Sequence, residues 1–202
     1  MGGVKGLPYD AEIEYLESTG TQWIDIEIQG VTKSDEWTAV VSRVENAATT
    51  LFGYVQGSTY ATLTMYHGSR KNVELAWGTT GNTITSALPS LDDFHTYSMT
   101  SNGSVISLAI DGVTMQQTRN AINNTVNYGM GLFCRINGGT PQLLSKLKLK
   151  SFQYRREGSL IRDYISVRKG QVGYLYDKVT GRLFGNQGAD AFIIGSDKNQ
   201  QP

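Results

Sequence analysis

Six side chains within one stretch of the chain are of the types that bind sugars: Tyr54, Tyr60, Tyr66, His67, Arg70 and Trp77, set among Thr, Gly and Asn. A pyranose stacks its C–H face on a flat aromatic ring, and its hydroxyls take amide, carboxylate or guanidinium partners around that ring. Tyr66 falls on the polar face of the alternating run Ala61–Tyr66, and Trp23 on the polar face of Gln22–Ile28. Trp23 is therefore either a second platform or a plug beneath a loop. Together these residues form the candidate glycan-binding group. Taken singly, each ring is also a core candidate, because a β protein with 10% aromatic residues needs most of them inside. Trp37, which leads Thr-Ala-Val-Val, reads as core.

Other chemistry has less support. His67 and His95 are the 2 histidines of the chain, and a His-ligated metal would need them to converge. His95 reads as a strand residue that packs or hydrogen-bonds. One cysteine, Cys134, excludes an intrachain disulfide framework and a cysteine-cluster metal site. It sits in the alternating run Gly131–Ile136 as a small core residue, with no basic cluster to activate it. No Gly-x-Ser-x-Gly elbow, phosphate loop or dinucleotide fingerprint occurs. Lys146, Lys148 and Lys150 alternate on one strand face and Arg155-Arg156 follow. With 18 basic and 18 acidic residues cancelling, they read as a solvated outer face that discourages edge-to-edge aggregation. The same balance excludes nucleic acid and anionic membranes as partners. No apolar run is long enough to insert into a membrane, and Met1–Pro8 has no signal-peptide stretch.

The elements that must position these groups are strands. At 202 residues the chain suits one domain, and 23 glycines with 4 prolines describe a folded, turn-rich chain. Period-two alternation recurs in short runs between Gly, Asn, Ser and Thr clusters. Ile24, Ile26 and Ile28 share one face, as do Ala61, Leu63 and Met65, and Val73, Leu75 and Trp77. His95–Thr100 and Val105–Ile110 form a hairpin that runs into an Asp111-Gly112 turn. Further strands are expected at Tyr128–Arg135, Leu143–Arg155, Asp163–Val167, Gly173–Asp177, Arg182–Phe184 and Ala191–Ile194. Between Leu149 and Phe152 the apolar phase switches, which places a β-bulge near Lys150 and Ser151. Many short strands with no helical stripe give an all-β fold, a two-sheet antiparallel β-sandwich of jelly-roll type, with a closed barrel as runner-up. The domain runs from 9 to 195, with tails at 1–8 and 196–202.

Three stretches carry a family resemblance: Glu14–Asp25, the hairpin His95–Gly112 and the closing segment Tyr174–Asn186 preceded by Leu160–Arg168. They resemble laminin-G-like, concanavalin A-like jelly-roll domains of gut Bacteroidales and of phages that infect gut bacteria. That resemblance implies a surface recognition module without covalent chemistry, placed outside the cell, on its surface or on a virion. The implied partner is a glycan or host-surface polysaccharide. A second reading is a structural virion protein, a fibre or capsid-decorating domain that works through protein–protein contacts and self-association. Laminin-G relatives often bind calcium, which implies Asp92-Asp93 or Asp35-Glu36 as oxygen donors; neither pair matches a dedicated loop, and both read as solvated turn residues. The third reading is a glycosidase: Trp23-Ile-Asp25-Ile-Glu27 is similar to the Glu-x-Asp-x-Glu strand of family 16 glycoside hydrolases. Trp23 stands where the nucleophile belongs, so the reading is non-catalytic.

Overall fold

Alternation becomes strand pairing in the computed structural model, which describes residues 6–66, 70–79, 83–118 and 124–198. The strands before the central hairpins are β1 (Ala11–Glu12), β2 (Leu16–Glu17), β3 (Ile24–Asp25), β4 (Asp35–Arg43), β5 (Thr49–Gln56), β6 (Thr59–Tyr66), β7 (Asn72–Thr79) and β8 (Thr83–Ala87). Next come β9 (Phe94–Ser101), β10 (Val105–Ile110), β11 (Val113–Thr118), β12 (Gly131–Leu132), β13 (Arg135–Asn137) and β14 (Thr140–Gln142). The chain closes with β15 (Leu147–Arg156), β16 (Ser159–Lys169), β17 (Val172–Asp177), β18 (Arg182–Phe184) and β19 (Ile193–Ile194).

The strands form two sheets packed as a sandwich. The first has the order β11-β10-β9-β4-β15-β16-β17-β18, with β1 on β16 and β2 between β15 and β19. The second has the order β14-β13-β5-β6-β7-β8, with β12 bridging β5 and β3. Pairing is antiparallel except between β13 and β5. The expected hairpin is present as β9 and β10, and the Asp111-Gly112 turn after it joins β10 to β11 with φ 49° and 82°, positive at both central positions as a tight hairpin turn requires. The expected bulge falls between Leu149 and Ser151 of β15.

Two expected strands are interrupted. Within Gln22–Ile28 only Ile24–Asp25 pairs as strand, because Glu27 has φ 56° and turns the backbone out of the ladder. The expected strand Tyr128–Arg135 is split between β12 and β13 by Phe133 at φ 64°.

The sheets are joined by rings. A second bulge, between Thr50 and Phe52, lets consecutive Leu51 and Phe52 both reach 0% exposure. Phe52 then meets Trp37 at 4.8 Å and Phe152 at 5.0 Å from the first sheet, and Trp77 at 6.3 Å from its own. The series continues from Phe152 to Tyr164 at 6.4 Å and from Tyr164 to Phe184 at 5.1 Å. Two buried aspartates tie the connecting segment 24–32 to the first sheet. Asp35 accepts from Thr32 N and Oγ1 at 2.6 and 2.8 Å and from Arg156 Nε at 3.2 Å, while Arg156 Nη2 donates to Gly30 O at 2.9 Å. Asp177 accepts from Asp163 N, Val179 N and Thr180 Oγ1 and lies 3.8 Å from Arg162, which donates to Ile26 O at 3.1 Å. Replacing Phe52 by Ala is expected to cost about 3–5 kcal/mol in urea unfolding. Val172→Ala, at a side chain 48% exposed, is expected to stay within about 0.5 kcal/mol of the parent.

Candidate functional site

Strands of the second sheet alternate between the core and an outer face. Leu63, Met65, Leu75, Trp77 and Ile136 point inward and expose 3% or less. Their neighbours Thr50, Val55, Thr62, Thr64 and Ala76 point the other way, yet expose only 0–7%. Side chains that face away from the core and still see so little solvent are walled in by what surrounds them. The centre of this face is a sheltered floor.

Register defines the floor and its border. Asn137 lies opposite Val55, Val55 opposite Tyr60, and Tyr60 opposite Gly78. One row along, Gly53 lies opposite Thr62, Thr62 opposite Ala76, and Ala76 opposite Thr83. Directly opposed residues share a face, so small side chains occupy the middle. Gly53 is obligatory there: its φ is 139°, and a Cβ on it would sit 2.0 Å from Ala61 O. The border is polar. Arg135 Nη2 and Asn137 Nδ2 both donate to Gln142 Oε1, at 3.3 and 3.2 Å. Thr50 and Thr64 hydroxyls meet at 3.2 Å, and Glu74 lies 3.8 Å from Arg70. Tyr60, half-buried, supplies the aromatic ring. The part-exposed ring, two amides and guanidinium suit a polyhydroxylated ligand.

The structure separates the residues singled out from sequence. Tyr60 lies between Val55 and Gly78 on the outer face, and Arg70 is exposed, 3.8 Å from Glu74, which lies opposite Thr64. Tyr54 and Trp77 do not face outward, which corrects the expectation that they stack on a sugar: both are 0% exposed. Tyr54 donates its hydroxyl to Asn124 Oδ1 at 3.1 Å, and burial pushes its phenol well above the usual range. Trp77 shares the inward phase of Val73 and Leu75, a signal the alternation already held. Tyr66 ends β6 opposite Asn72, and His67 lies outside the described residues.

Trp23 is the plug and not the platform. Its ring packs against the core, its backbone pairs with Asn186 Oδ1 and Gln187 N, and a Cβ on Gly188 would come within 3.0 Å of the ring. Arg135, Asn137 and Gln142 escaped notice because a parallel pairing across some 80 residues of sequence brings them to β5, and no local pattern announces it.

The remaining candidates take structural places. His95 Nδ1 contacts Asp111 Oδ2 at 2.6 Å, and Nε2 contacts Ser90 Oγ at 3.0 Å, which steadies the hairpin turn. Lys150 lies 3.9 Å from the Phe94 ring centroid, Lys148 5.2 Å from that of Tyr15, and Lys146 pairs with Glu45 at 2.9 Å. Cys134 is buried, which pushes its thiol up and makes it a poor nucleophile. Asp35 is engaged by Thr32 and Arg156, while Glu36 turns to the opposite face of β4, so the two carboxylates do not converge. Asp93 accepts from Ser90 Oγ at 2.8 Å, and Asp92 is exposed. On the outer face of the first sheet, a depression of about 180 Å³ is lined by Glu36, Thr38, Ser98, Thr100, Gln153 and Arg155. No ring opens onto it, because Trp37 beneath is 2% exposed.

No family model matches the sequence, and no curated protein matches it. Solved structures do match in fold. A candidate carbohydrate-binding protein from Bacteroides ovatus is similar at a TM-score of 0.66 and 12% identity, over 92% of this chain and 60% of that one. The chain thus spans about 60% of that structure's length. The heptameric SAP-like pentraxin of Limulus polyphemus is similar at a TM-score of 0.57 and 10% identity, over 94% of this chain and 96% of that one. The enzymatically active domain of tailspike protein 2 from bacteriophage CBA120 aligns at a TM-score of 0.46 and 10% identity, over 76% of this chain and 29% of its own, too loosely to bear on function. At these identities the likeness shows the fold alone, an all-β sandwich of two antiparallel sheets of jelly-roll type.

The carboxylates of the glycosidase-like stretch are not arranged as an acid and a nucleophile. Glu27 turns out of the strand and is held by both Arg182 Nη atoms at 2.8 and 2.9 Å, which lowers its pKa below the usual carboxylate range. A carboxyl so held is a poor general acid at neutral pH. Asp25, half-buried, accepts the Glu27 N–H at 2.7 Å, and burial raises its pKa. Because that folded pKa exceeds the unfolded value of about 3.9, ionising Asp25 favours the unfolded chain, and its contribution to stability is lost as pH rises through the folded value. Asp25→Asn keeps an oxygen acceptor and removes this titration. Its stability relative to the parent should rise from about pH 4 to about pH 7 in urea melts, whereas a gap independent of pH would contradict the assignment.

Proposed function

We propose that the chain is a non-catalytic recognition module that binds carbohydrate on the outer face of its second sheet. The observation that carries this reading is the part-exposed set of Tyr60, Arg135, Asn137 and Gln142 on one face of the second sheet, with Tyr60 two strands from Asn137 across Val55. Tyr60, half-buried, offers a stacking face, and the part-exposed amides and guanidinium match equatorial hydroxyls in donor and acceptor chemistry. The fold likeness to a candidate carbohydrate-binding protein supports the same reading. On this reading the ligand is a glycan of a surface or extracellular polysaccharide, and the module works outside the cell, on its surface or on a virion.

Shallow sites on rigid sheets bind oligosaccharides weakly, so micromolar to millimolar affinity is expected on a glycan array and by calorimetry. Tyr60→Ala should weaken binding about tenfold, the equivalent of one stacking contact of about 1.4 kcal/mol, with the fold intact. Trp77→Ala should instead lower the unfolding midpoint, since Trp77 lies in the core. A tight oligomer by light scattering that binds no arrayed sugar would overturn the reading in favour of protein–protein contacts.

A further inference from the structure

The border of the sheltered floor contains a cation whose charge the protein leaves unanswered. Among the described residues, Arg156 is paired with Asp35, Arg162 with Asp177, Arg168 with Asp197 and Arg182 with Glu27. Arg135 has no carboxylate within ion-pair distance among those residues. Its hydrogen-bond partner is the neutral Gln142 side chain, through Nη2 at 3.3 Å, and its Nε–H is shut off from solvent with no partner at all. A guanidinium that has lost part of its hydration without gaining a counter-charge favours an anion brought to it. Asn137 and Gln142, already joined to each other, hold the edge beside it. The acid known on this face, Glu74, is on β7 and faces Arg70 at 3.8 Å.

The face is also shaped for a planar anion attached to a sugar. Arg135 stands on β13, next to Ile136, which pairs with Tyr54. Asn137, on the same face of β13, pairs with Val55, and Val55 pairs with Tyr60. Neighbouring strands lie about 4.8 Å apart, so Tyr60 on β6 sits two strand spacings from β13, about 10 Å. Adjacent sugar rings in a chain are spaced by about half that reach. One ring stacked on Tyr60 thus leaves its neighbour toward β13, with its substituents near Asn137 and Arg135.

We infer that the site selects carboxylate-bearing glycans, those built on uronic acids or similar acidic sugars, and that Arg135 binds the carboxylate. This inference rests on the carbohydrate-binding reading and names its ligand class. Arginine suits the role because its fork can meet a carboxylate with two parallel N–H donors, where a lysine offers a point charge.

The test compares oligogalacturonate, oligoalginate and hyaluronan fragments with the same oligosaccharides after their carboxyl groups are reduced to alcohols, by titration calorimetry on the intact chain. At least one native acidic series should bind tenfold or more tightly than its reduced counterpart. That preference should weaken with added salt, vanish in Arg135→Gln and return in part in Arg135→Lys, with unfolding midpoints showing that both variants fold. The comparison between native and reduced sugars needs no variant, so a failure of either variant to fold leaves the result intact. Equal binding of native and reduced sugars overturns the carboxylate inference and leaves the carbohydrate reading standing. Binding of neutral arrayed sugars with no affinity for any acidic series does the same. No binding to any arrayed sugar, neutral or acidic, overturns both.

Discussion

Two sheets stay packed only if side chains from both fill the roughly 10 Å between them, and here that filling turns on Phe52. The bulge in β5 gives Leu51 and Phe52 the same inward sense, and Phe52 reaches rings on both sheets. The same irregularity sets what β5 can offer to solvent. After Phe52, Gly53 and Val55 face outward on either side of the inward Tyr54, so the outer face has small side chains where a regular strand would place its larger ones. The sheltered floor and the aromatic core are therefore two sides of one backbone feature. Packing made with Phe52 and Trp77 holds the strands that display Tyr60 and Thr62.

Charge is disposed in a matching way. Most arginines serve internal ties: Arg156 and Arg162 fix the segment 24–32 through backbone carbonyls and buried aspartates, and Arg168 fastens the end of the described chain through Asp197. The pairs made by buried Asp35 and Asp177 give little net stability over apolar packing, but losing one partner leaves a charge stranded, so they define where the chain must run. Asp177 illustrates this, since one carboxylate orders the turn after β17 through the Val179 amide and the Thr180 hydroxyl and ties it to β16 through the Asp163 amide. The closing motif Tyr174–Asn186 is thus structural in this chain. Arg43 and Arg155 of the first sheet donate to the backbone carbonyls of Pro89 and Gly158, and Arg135, which also meets no carboxylate among the described residues, stands on the outer face of the second sheet beside Asn137 and Gln142.

Much of the fold was readable from residue order because alternation and turn chemistry are local. The Asp111-Gly112 hairpin and the β15 bulge follow from single residues and from a change of phase at Leu149 to Phe152. The candidate site is less legible. Residue type alone selects Tyr54 and Tyr60 alike, and only the fold separates them: the bulge at Leu51 turns Tyr54 into the core, while Tyr60 faces outward, and such a shift leaves no mark in a strand that is apolar on both faces. Trp77 was misplaced by weighing its chemistry over its phase. Glu27 departs from its strand through a positive φ that a glutamate rarely adopts, and the Arg182 pair beside it joins residues 155 apart. Arg135, Asn137 and Gln142 owe their place to long-range pairing, which residue order alone does not specify.

The most direct measurement is an NMR titration of the isotope-labelled chain with the tightest-binding oligosaccharide from an array, read residue by residue. The account predicts shifts concentrated at Val55, Tyr60, Thr62, Ala76, Arg135 and Asn137, with the first sheet unmoved. Shifts centred on Thr38, Thr100 and Gln153 would place the ligand on the opposite face and contradict it.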